Sequence, residues 1–206
     1  MSTAPSENLN VEIIPVSADR WQDLESLFGP RGAYSGCWCM FWRVKRTDFN
    51  KMTGEDRKAA LHELTNKNEV PGLLAVIEDQ PIGWVSIGPR QAFTALENSR
   101  ILKRVDDTPV WSIVCFYIAK PFRKKGILSK LLQGAVKYAE KQGAQIVEGY
   151  PIDLHTPLLA GQTLHGCSGY MGIASAFTAA GFEKVADASA TQRIMRYTVK
   201  KTGQPI

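Results

Sequence analysis

The sequence has no apolar run of about 18 residues, the length that a membrane-spanning helix needs. Its first ten residues, MSTAPSENLN, lack both the basic start and the apolar stretch of a secretory signal. We therefore expect neither a membrane segment nor export. Repeats, linkers and low-complexity stretches are also missing, which predicts a single domain over residues 11–200 with flexible tails at 1–10 and 201–206.

Cysteine is scarce, with four residues at positions 37, 39, 115 and 167. Their spacing fits no zinc knuckle, because a structural zinc site needs four ligands and the last two cysteines lie far from the first pair. The first pair forms a C-x-C motif and not the C-x-x-C of a thioredoxin-like unit, so redox use is not predicted. Without an export signal we expect reduced thiols, a cytoplasmic location and no bound metal.

The charge is mildly basic, with 25 Lys and Arg against 20 Asp and Glu, a formal net charge of +5 at pH 7. Such a balance suits an anionic ligand or a nucleic acid. The interleaving of aromatic and basic residues that is typical of nucleic-acid-binding modules is missing. We therefore expect neither a nucleic-acid nor a membrane partner, although a nucleic-acid-binding or partner-binding protein that uses a basic turn stays a third hypothesis.

The apolar pattern predicts an α/β fold of the α+β type, a mixed sheet with helices packed on both faces. Strands are predicted at 11–17, 110–119, 146–152, 183–189 and 193–200, with a hairpin over 72–88 that turns at Asp79–Gln80. Helices are predicted at 19–29, from a capping box of Thr53 and Asp56, from Ile127 to Gly143, and at 174–182. The segment VWSIVCFYIA at 110–119 is apolar almost throughout, as expected of a central strand.

The segment FYIAKPFRKKGILSKLL leads from the predicted central strand into a strongly amphipathic helix. The first turn of a helix has unpaired backbone N–H groups and partial positive charge. Gly126 lets a ligand approach the backbone closely, and Ser129 adds a hydroxyl donor. Three basic residues raise the local potential: Arg123, Lys124 and Lys125. The turn is either a seat for a phosphate or pyrophosphate, or an ordinary basic surface turn; neither GxxxxGK[ST] nor GxGxxG is present.

Residues 123–128, RKKGIL, resemble the pyrophosphate loop [Q/R]-x-x-G-x-[G/A] of the GNAT superfamily of acyl-CoA-dependent N-acetyltransferases. Arg123 and Gly126 match that loop, whereas Leu128 stands where Gly or Ala is usual. The context adds specificity, because an apolar strand precedes the loop and a helix, a strand and a helix ending AAGFEKV follow it. The resemblance covers roughly residues 70–200. It implies a GNAT-like, mostly antiparallel mixed sheet with a splayed central strand pair.

The resemblance also implies an activity, in which acetyl-CoA is the cosubstrate and a primary amine of a small molecule or protein attacks it directly. The pantetheine arm would pair with backbone groups of Phe116, Tyr117 and Ile118 in the gap beside the central strand. A backbone N–H near the strand's bulge would polarise the thioester carbonyl. A homodimer is compatible with this hypothesis. The residues implied for the pyrophosphate are Arg123, Lys124, Lys125, Gly126, Ile127, Leu128 and Ser129.

Several residues are candidates for proton transfer. Many family members place a Tyr, the general acid, four residues before the Gly of the GF pair, and here that position is Phe177. Tyr170, at a position often held by a cofactor-facing Asn, is the substitute candidate. Glu148 is a candidate base, directly or through water, and His155 and His165 are further candidates, because histidine as a residue type changes its charge near neutral pH. Phe177 motivates the alternative, a non-catalytic acyl-CoA-binding or regulatory module.

Residues 35–43 read SGCWCMFWR. In the resembling fold, the region between the first helices lines the acceptor site. Trp38, Phe41 and Trp42 would then provide flat apolar walls, and Arg43 would pair with an acidic group on the acceptor. The same aromatic residues equally suit core packing, with Arg43 on the surface. The sequence does not choose between these two readings.

Overall fold

The computed structural model describes residues 10–162 and 168–199, so the expected tails lie almost wholly outside the described residues. These residues form a seven-stranded sheet in the order β1-β2-β3-β4-β5-β7-β6. Neighbouring strands are antiparallel except for the parallel pair β4 and β5. The strands are β1 (Glu12–Pro15), β2 (Gly72–Ile77), β3 (Gln80–Pro89), β4 (Trp111–Ile118), β5 (Ile146–Gly149), β6 (Glu183–Asp187) and β7 (Arg193–Thr198). The expected mixed, mostly antiparallel sheet is thus confirmed.

Helices cover both faces of the sheet. They are α1 (Trp21–Phe28), α2 (Arg46–Lys51), α3 (Gly54–Asn66), α4 (Thr94–Glu97), α5 (Ile127–Lys141) and α6 (Ala174–Ala179). The predicted capping box opens α3, because the Thr53 hydroxyl accepts from the Asp56 N–H while the Asp56 carboxylate accepts from the Thr53 N–H. Among the described residues, none of the helices combines the length and the apolar character that crossing a bilayer requires.

The core has two main layers, one on each face of the sheet. Leu73 and Ala75 of β2 pack in the layer under α5 and α6, whereas Leu74 and Val76 pack in the layer under α1 and α3. All four side chains are buried, which is why the alternating strand reads as one continuous apolar run. β4 lies fourth of seven in the sheet, as its apolar sequence predicted.

The hairpin between β2 and β3 turns one residue earlier than predicted. Ile77 pairs with Gln80, so Glu78 and Asp79 form the two-residue turn and Gln80 is already in β3. Both turn residues have positive φ, 47° and 65°, which is the backbone of a type I′ hairpin. This backbone twist matches the twist of the flanking strands and fixes the turn there.

Candidate functional site

The central strand β4 separates from its parallel neighbour β5 after three paired residues. The pairing runs only over 111–113 against 147–149. A register shift opposite Ser86 and Ile87 leaves Val114 as an extra residue in β4. A bulge of this kind bends the strand and increases its twist. The second half of β4 therefore turns away from β5 and leaves a gap along one edge.

Backbone groups of Phe116 and Ile118 face this gap. The Phe116 N–H donates to the Tyr170 carbonyl at 2.6 Å. Alternation along the strand turns the Ile118 main chain to the same edge and the Tyr117 main chain towards β3. The Ile118 carbonyl accepts from Arg123 Nε at 3.0 Å. Of the three residues predicted to pair with pantetheine, two thus offer backbone groups to the gap, and the Phe116 N–H already has an acceptor.

Residues 168–173, the gap segment, run along this opening like a short extra strand. On one side the segment bonds to β4 through Tyr170 and Phe116. On the other side the Ile152 N–H donates to the Gly172 carbonyl at 3.0 Å, and Ile152 forms a parallel bridge with Ile173. The protein's own chain therefore lies where the resemblance places the acyl end of the cofactor.

Phe177 packs at the base of the gap. It is fully buried, and its ring meets Phe116 edge-on with 6.1 Å between ring centroids. Gly149 and Gly172 lie so close to the ring that a Cβ at either position would overlap it. In this chain the position of the family's usual tyrosine is therefore an apolar packing position that supplies no proton.

The turn after β4 leaves the start of α5 open. Gly126 is the N-cap residue with φ of 76°, and a Cβ added there would lie in open space. Lys124 also has positive φ, 60°. The N–H groups of residues 127–129 point out of the helix start without intrahelical acceptors. The first turn carries no acidic residue, so these donors and the helix dipole favour an anion.

Side chains around the turn reinforce this preference. Arg123, Lys124 and Lys125 are exposed, and within the described chain none of them forms an ion pair. Leu128, which departs from the family loop, is half-buried and packs against the core. Amide donors and exposed cations without an ion-pair partner at a helix start are the donor set that binds a diphosphate, so the residues present fit the pyrophosphate of acetyl-CoA.

A cavity of about 320 Å³ borders the gap segment. Its lining combines aromatic, polar and cationic side chains: Phe41, Trp42, Arg46, Ser99, Ile101, Leu102, Ile152, Ser168, Tyr170, Met171, Gly172, Thr191 and Gln192. The Arg46 guanidinium stacks 3.3 Å from the centroid of the Phe41 ring. Trp42 Nε1 is buried beside the Tyr170 hydroxyl. The cavity thus offers flat aromatic walls and a cation.

The aromatic stretch 35–43 is divided between core and cavity. Phe41 and Trp42 line the cavity. Trp38 is 4% exposed and packs against Trp21 and Phe28 in the core. One short segment thus contributes side chains both to the cavity and to the core.

Arg43 lies away from the cavity. Its Nη2 donates to the Pro71 carbonyl at 2.7 Å, and its guanidinium lies over the Phe93 ring. Burial lowers the pKa of Arg43 to about 10. The cation that lines the cavity is instead Arg46, which the sequence reading passed over. The sequence signal that could have indicated Arg46 is its position just after the aromatic stretch.

Glu148 lies on β5 as predicted, but its carboxylate is enclosed. Oε1 accepts from Arg90 Nη1 at 3.0 Å and from the Tyr150 hydroxyl at 2.7 Å, and Oε2 accepts from Arg196 Nε at 2.7 Å. The side chain is 1% exposed. Both oxygens are engaged, so the structure brings Glu148 to a buried ion network and not to the cavity.

Tyr170 connects the gap and the cavity. Its carbonyl accepts from Phe116, while its ring lines the cavity and meets Phe41 edge-on. Burial raises the pKa of the Tyr170 hydroxyl, and the Trp42 indole beside it acts in the opposite direction. The hydroxyl therefore keeps its proton at neutral pH, as a proton donor must.

The structure describes one of the two histidine candidates. His155 is exposed and does not line the cavity, and His165 lies outside the described residues. Within residues 10–162 and 168–199, no three His, Cys, Asp or Glu side chains are grouped so as to hold a metal ion. Of the candidate proton-transfer groups that the structure describes, Tyr170 is thus the one at the cavity.

Comparison with known protein families finds one that matches this chain. The profile described as "Acetyltransferase (GNAT) family" matches residues 38–150, more than half of the chain. The match includes β4, the bulge and the open start of α5. No curated protein matches the sequence.

Solved structures share the fold at low sequence identity. The chain is 15% identical to the PaiA N-acetyltransferase from Thermoplasma acidophilum, solved with coenzyme A, over 93% of this chain and 100% of that one (TM-score 0.50). It is 13% identical to an N-acetyltransferase from Staphylococcus aureus Mu50, over 93% and 99% (TM-score 0.52). YncA from Salmonella typhimurium, solved with its cofactor acetyl-CoA, is 11% identical over 95% and 98% (TM-score 0.52).

Proposed function

The chain belongs to the GNAT acetyltransferase family, and from that premise we propose that it transfers an acetyl group from acetyl-CoA to a primary amine of a small molecule or protein. One observation carries the proposal. The second half of β4, which has separated from β5, leads through a short turn into an α5 start that has free amides, an exposed Gly126 and three exposed cations. Together these elements provide backbone groups for an extended arm and a seat for its pyrophosphate.

Different residues of the chain would contact different parts of acetyl-CoA. Acetyl-CoA, when bound, supplies a thioester whose acyl carbon an amine can attack. The amides of residues 126–129 and the exposed Arg123, Lys124 and Lys125 hold the negative charge of its phosphates. The Phe116 N–H, which now donates to the Tyr170 carbonyl, is the donor available to a carbonyl oxygen in the gap. Ile118 offers further backbone groups along the same edge.

We assign the proton donor to Tyr170. Tyr170 lines the cavity, and its protonated hydroxyl is the group that would supply a proton to the departing thiolate. Tyr170→Phe should therefore lower kcat and leave acetyl-CoA binding unchanged, because the backbone contact to Phe116 remains. Tyr138→Phe on α5 is the matched control and should leave kcat unaltered. An unchanged kcat for Tyr170→Phe would show that Tyr170 is not the proton donor.

Glu148 has a positioning role in this proposal. Its carboxylate fastens β5 to Arg90 and Arg196, and no oxygen is left to accept a proton from an amine. A base that acts through Glu148 would first have to break a buried ion pair, which costs several kcal/mol.

The cavity is proposed as the acceptor site. Arg46 is the cation there, and it forms no ion pair within the described chain. An acceptor with a carboxylate near its amine would satisfy it. Arg46→Gln should raise KM for amino acids but not for the corresponding amino-acid amides. Lys45→Gln, one residue away and outside the cavity lining, should change neither KM; equal effects of Arg46→Gln on both substrate classes would contradict this acceptor class.

The first test of the function is thermal unfolding with acetyl-CoA, CoA or ATP. A ligand at about 100 times its Kd adds roughly 2.7 kcal/mol to the free energy of unfolding. We expect acetyl-CoA and CoA to raise Tm more than ATP. CoA release with a panel of amines then measures transfer.

A matched pair of variants locates the binding site. Gly126→Glu and Gly143→Glu lie at opposite ends of α5, with φ of 76° and 82° and open space around both. The backbone strain of about 1–2 kcal/mol is therefore the same in both. Only Gly126→Glu, which places a carboxylate at the phosphate seat, should abolish the acetyl-CoA shift. Equal shifts in both variants would overturn the assignment of this seat.

The second candidate function is a non-catalytic acyl-CoA-binding or regulatory module. Two observations favour it: Phe177 supplies no proton, and the Phe116 N–H is already hydrogen-bonded. A rise in Tm with acetyl-CoA, without CoA release with any amine, would support this second function.

A further inference from the structure

Two cysteines that are far apart in the sequence meet beside the proposed site. The Sγ atoms of Cys39 and Cys115 lie 3.2 Å apart, although 76 positions separate the residues. Cys115 is in β4, directly before Phe116, and Cys39 is in the aromatic stretch 35–43. A disulfide bond is about 2.05 Å long, so an approach of roughly 1 Å would join the two sulfur atoms.

The backbone around Cys39 is held in an unusual conformation that directs this thiol. Trp38 and Cys39 have φ of 45° and 51°, a region that residues with a side chain adopt only when their surroundings impose it. The Trp84 indole N–H donates to Cys39 Sγ at 3.2 Å, and Cys39 is 5% exposed. The sulfur is thus fixed against Cys115 in a buried setting.

We propose that Cys39 and Cys115 are a peroxide-sensitive thiol pair, which oxidation joins into a disulfide between the aromatic stretch and β4. Cys115 is half-buried and meets the peroxide first. This proposal does not rest on the acetyltransferase activity.

The reaction balances with hydrogen peroxide as the oxidant. The Cys115 thiolate attacks one peroxide oxygen, the O–O bond breaks, and a sulfenic acid and one water form. Cys39 Sγ then attacks the sulfenic sulfur, the S–O bond breaks, and a second water leaves with the remaining proton. Two thiols lose two hydrogens in total, and one peroxide is reduced to two waters.

Cys37 is the competing partner, and its environment argues against it. Burial and the neighbouring Cys39 raise the pKa of Cys37 to about 11. Little thiolate is therefore present at neutral pH, and the thiolate is the reactive form. The distance of 3.2 Å instead pairs Cys39 with a residue of another element.

Intact mass and peptide mapping test the proposal. The reduced full-length protein is treated with hydrogen peroxide, alkylated and digested with trypsin. We expect the loss of two hydrogens and a link between peptides 32–43 and 105–123, reversed by dithiothreitol. Because peptide 32–43 holds both Cys37 and Cys39, the variant Cys37→Ser must keep the link.

Two further variants make the result decisive. Cys39→Ser and Cys115→Ser should each lose the link, and the half-buried Cys115→Ser covers the case in which Cys39→Ser does not fold. The proposal is overturned if the link persists in Cys39→Ser, if it joins Cys167 in peptide 142–184, if it joins two molecules, or if only sulfinic and sulfonic acids form.

Discussion

The surroundings of a single side chain change its chemistry, as the pKa of the Cys37 thiol shows. Burial, with Cys39 acting in the same direction, raises its pKa from 9.0 to about 11. The folded state holds this proton more tightly than the unfolded state, so unfolding releases a proton between these two values. Stability from this group is complete below pH 9 and is lost as the pH rises towards 11.

Cys37→Ser should therefore flatten the alkaline limb of the stability curve. We expect the free energy of unfolding from urea titrations to fall less steeply with pH in the variant than in the parent protein. Cys115→Ser is the control, because it removes a thiol that does not contribute to the raised pKa of Cys37. Parallel slopes in Cys37→Ser and parent would show that the Cys37 thiol is not protected from ionisation by the fold.

Phe177 is a second residue whose neighbours decide its role. Its ring lies against Gly149 and Gly172, in space that a Cβ at either glycine would occupy. Phe177→Tyr adds a hydroxyl to a filled site, so we expect about 1–3 kcal/mol of destabilisation and no gain in CoA release. Phe122→Tyr, at a half-buried position on the turn, should change stability by less than about 0.5 kcal/mol. An unchanged stability together with faster CoA release would mean that the position still admits the family's proton donor.

At the scale of elements, a buried ion network fastens β5 to the segment after β3. Arg90 is 1% exposed and bonds to Glu97, Glu148 and the carbonyls of Leu96 and Leu102. Removing one partner of a buried pair leaves an uncompensated charge and typically costs 3–5 kcal/mol. An exposed pair contributes about 0–1 kcal/mol.

Arg90→Gln should thus lower the free energy of unfolding by about 3 kcal/mol or more. Arg104→Gln is its matched control, because Arg104 pairs with the same Glu97 but is 38% exposed, and it should cost less than about 1 kcal/mol. Denaturant titration of both variants gives the comparison. Similarly small losses of unfolding free energy in both variants would mean that Arg196 alone compensates the charge of Glu148.

The gap segment and an acyl donor compete for the same strand edge. The Phe116 N–H donates to Tyr170 at 2.6 Å, and one N–H cannot donate fully to two carbonyls. If acetyl-CoA takes this donor, amide exchange over residues 168–173 should rise while exchange at the start of α5 falls. ATP, which offers phosphates but no thioester, is the control and should leave 168–173 unchanged. Slower exchange of 168–173 with acetyl-CoA would show that the segment stays in the gap.

For the molecule as a whole, stability should fall in acid. Hydrogen bonds lower the pKa of five carboxyl groups: Asp19, Asp56, Asp106, Asp153 and Asp187. The unfolded chain binds protons at these groups near pH 4, above their folded pKa values, so their contribution is present above about pH 4 and is lost below it. Urea titrations at falling pH should show this decline, with Asp56→Asn less affected than the parent. A flat profile would contradict these carboxylate interactions.

The sequence by itself determined the local architecture. The capping box at Thr53, the apolar run of β4 and the amphipathic period of α5 each depend on residues a few positions apart. Such short-range signals act through backbone capping and one-sided burial, which neighbouring residues decide. The open turn at Gly126 is also predictable from the local sequence, because its features are the end of a strand, a glycine and adjacent cations.

Only the tertiary structure decided the rest, because the deciding contacts join distant parts of the chain. Phe116 meets Tyr170, Glu148 meets Arg90, and Cys39 meets Cys115. Local propensity carries no information about such pairs, since each is fixed by the register of the sheet and the packing of a loop against it. The same reason separates Trp42 in the cavity from Trp38 in the core, four positions apart in one aromatic stretch whose sequence suits either place.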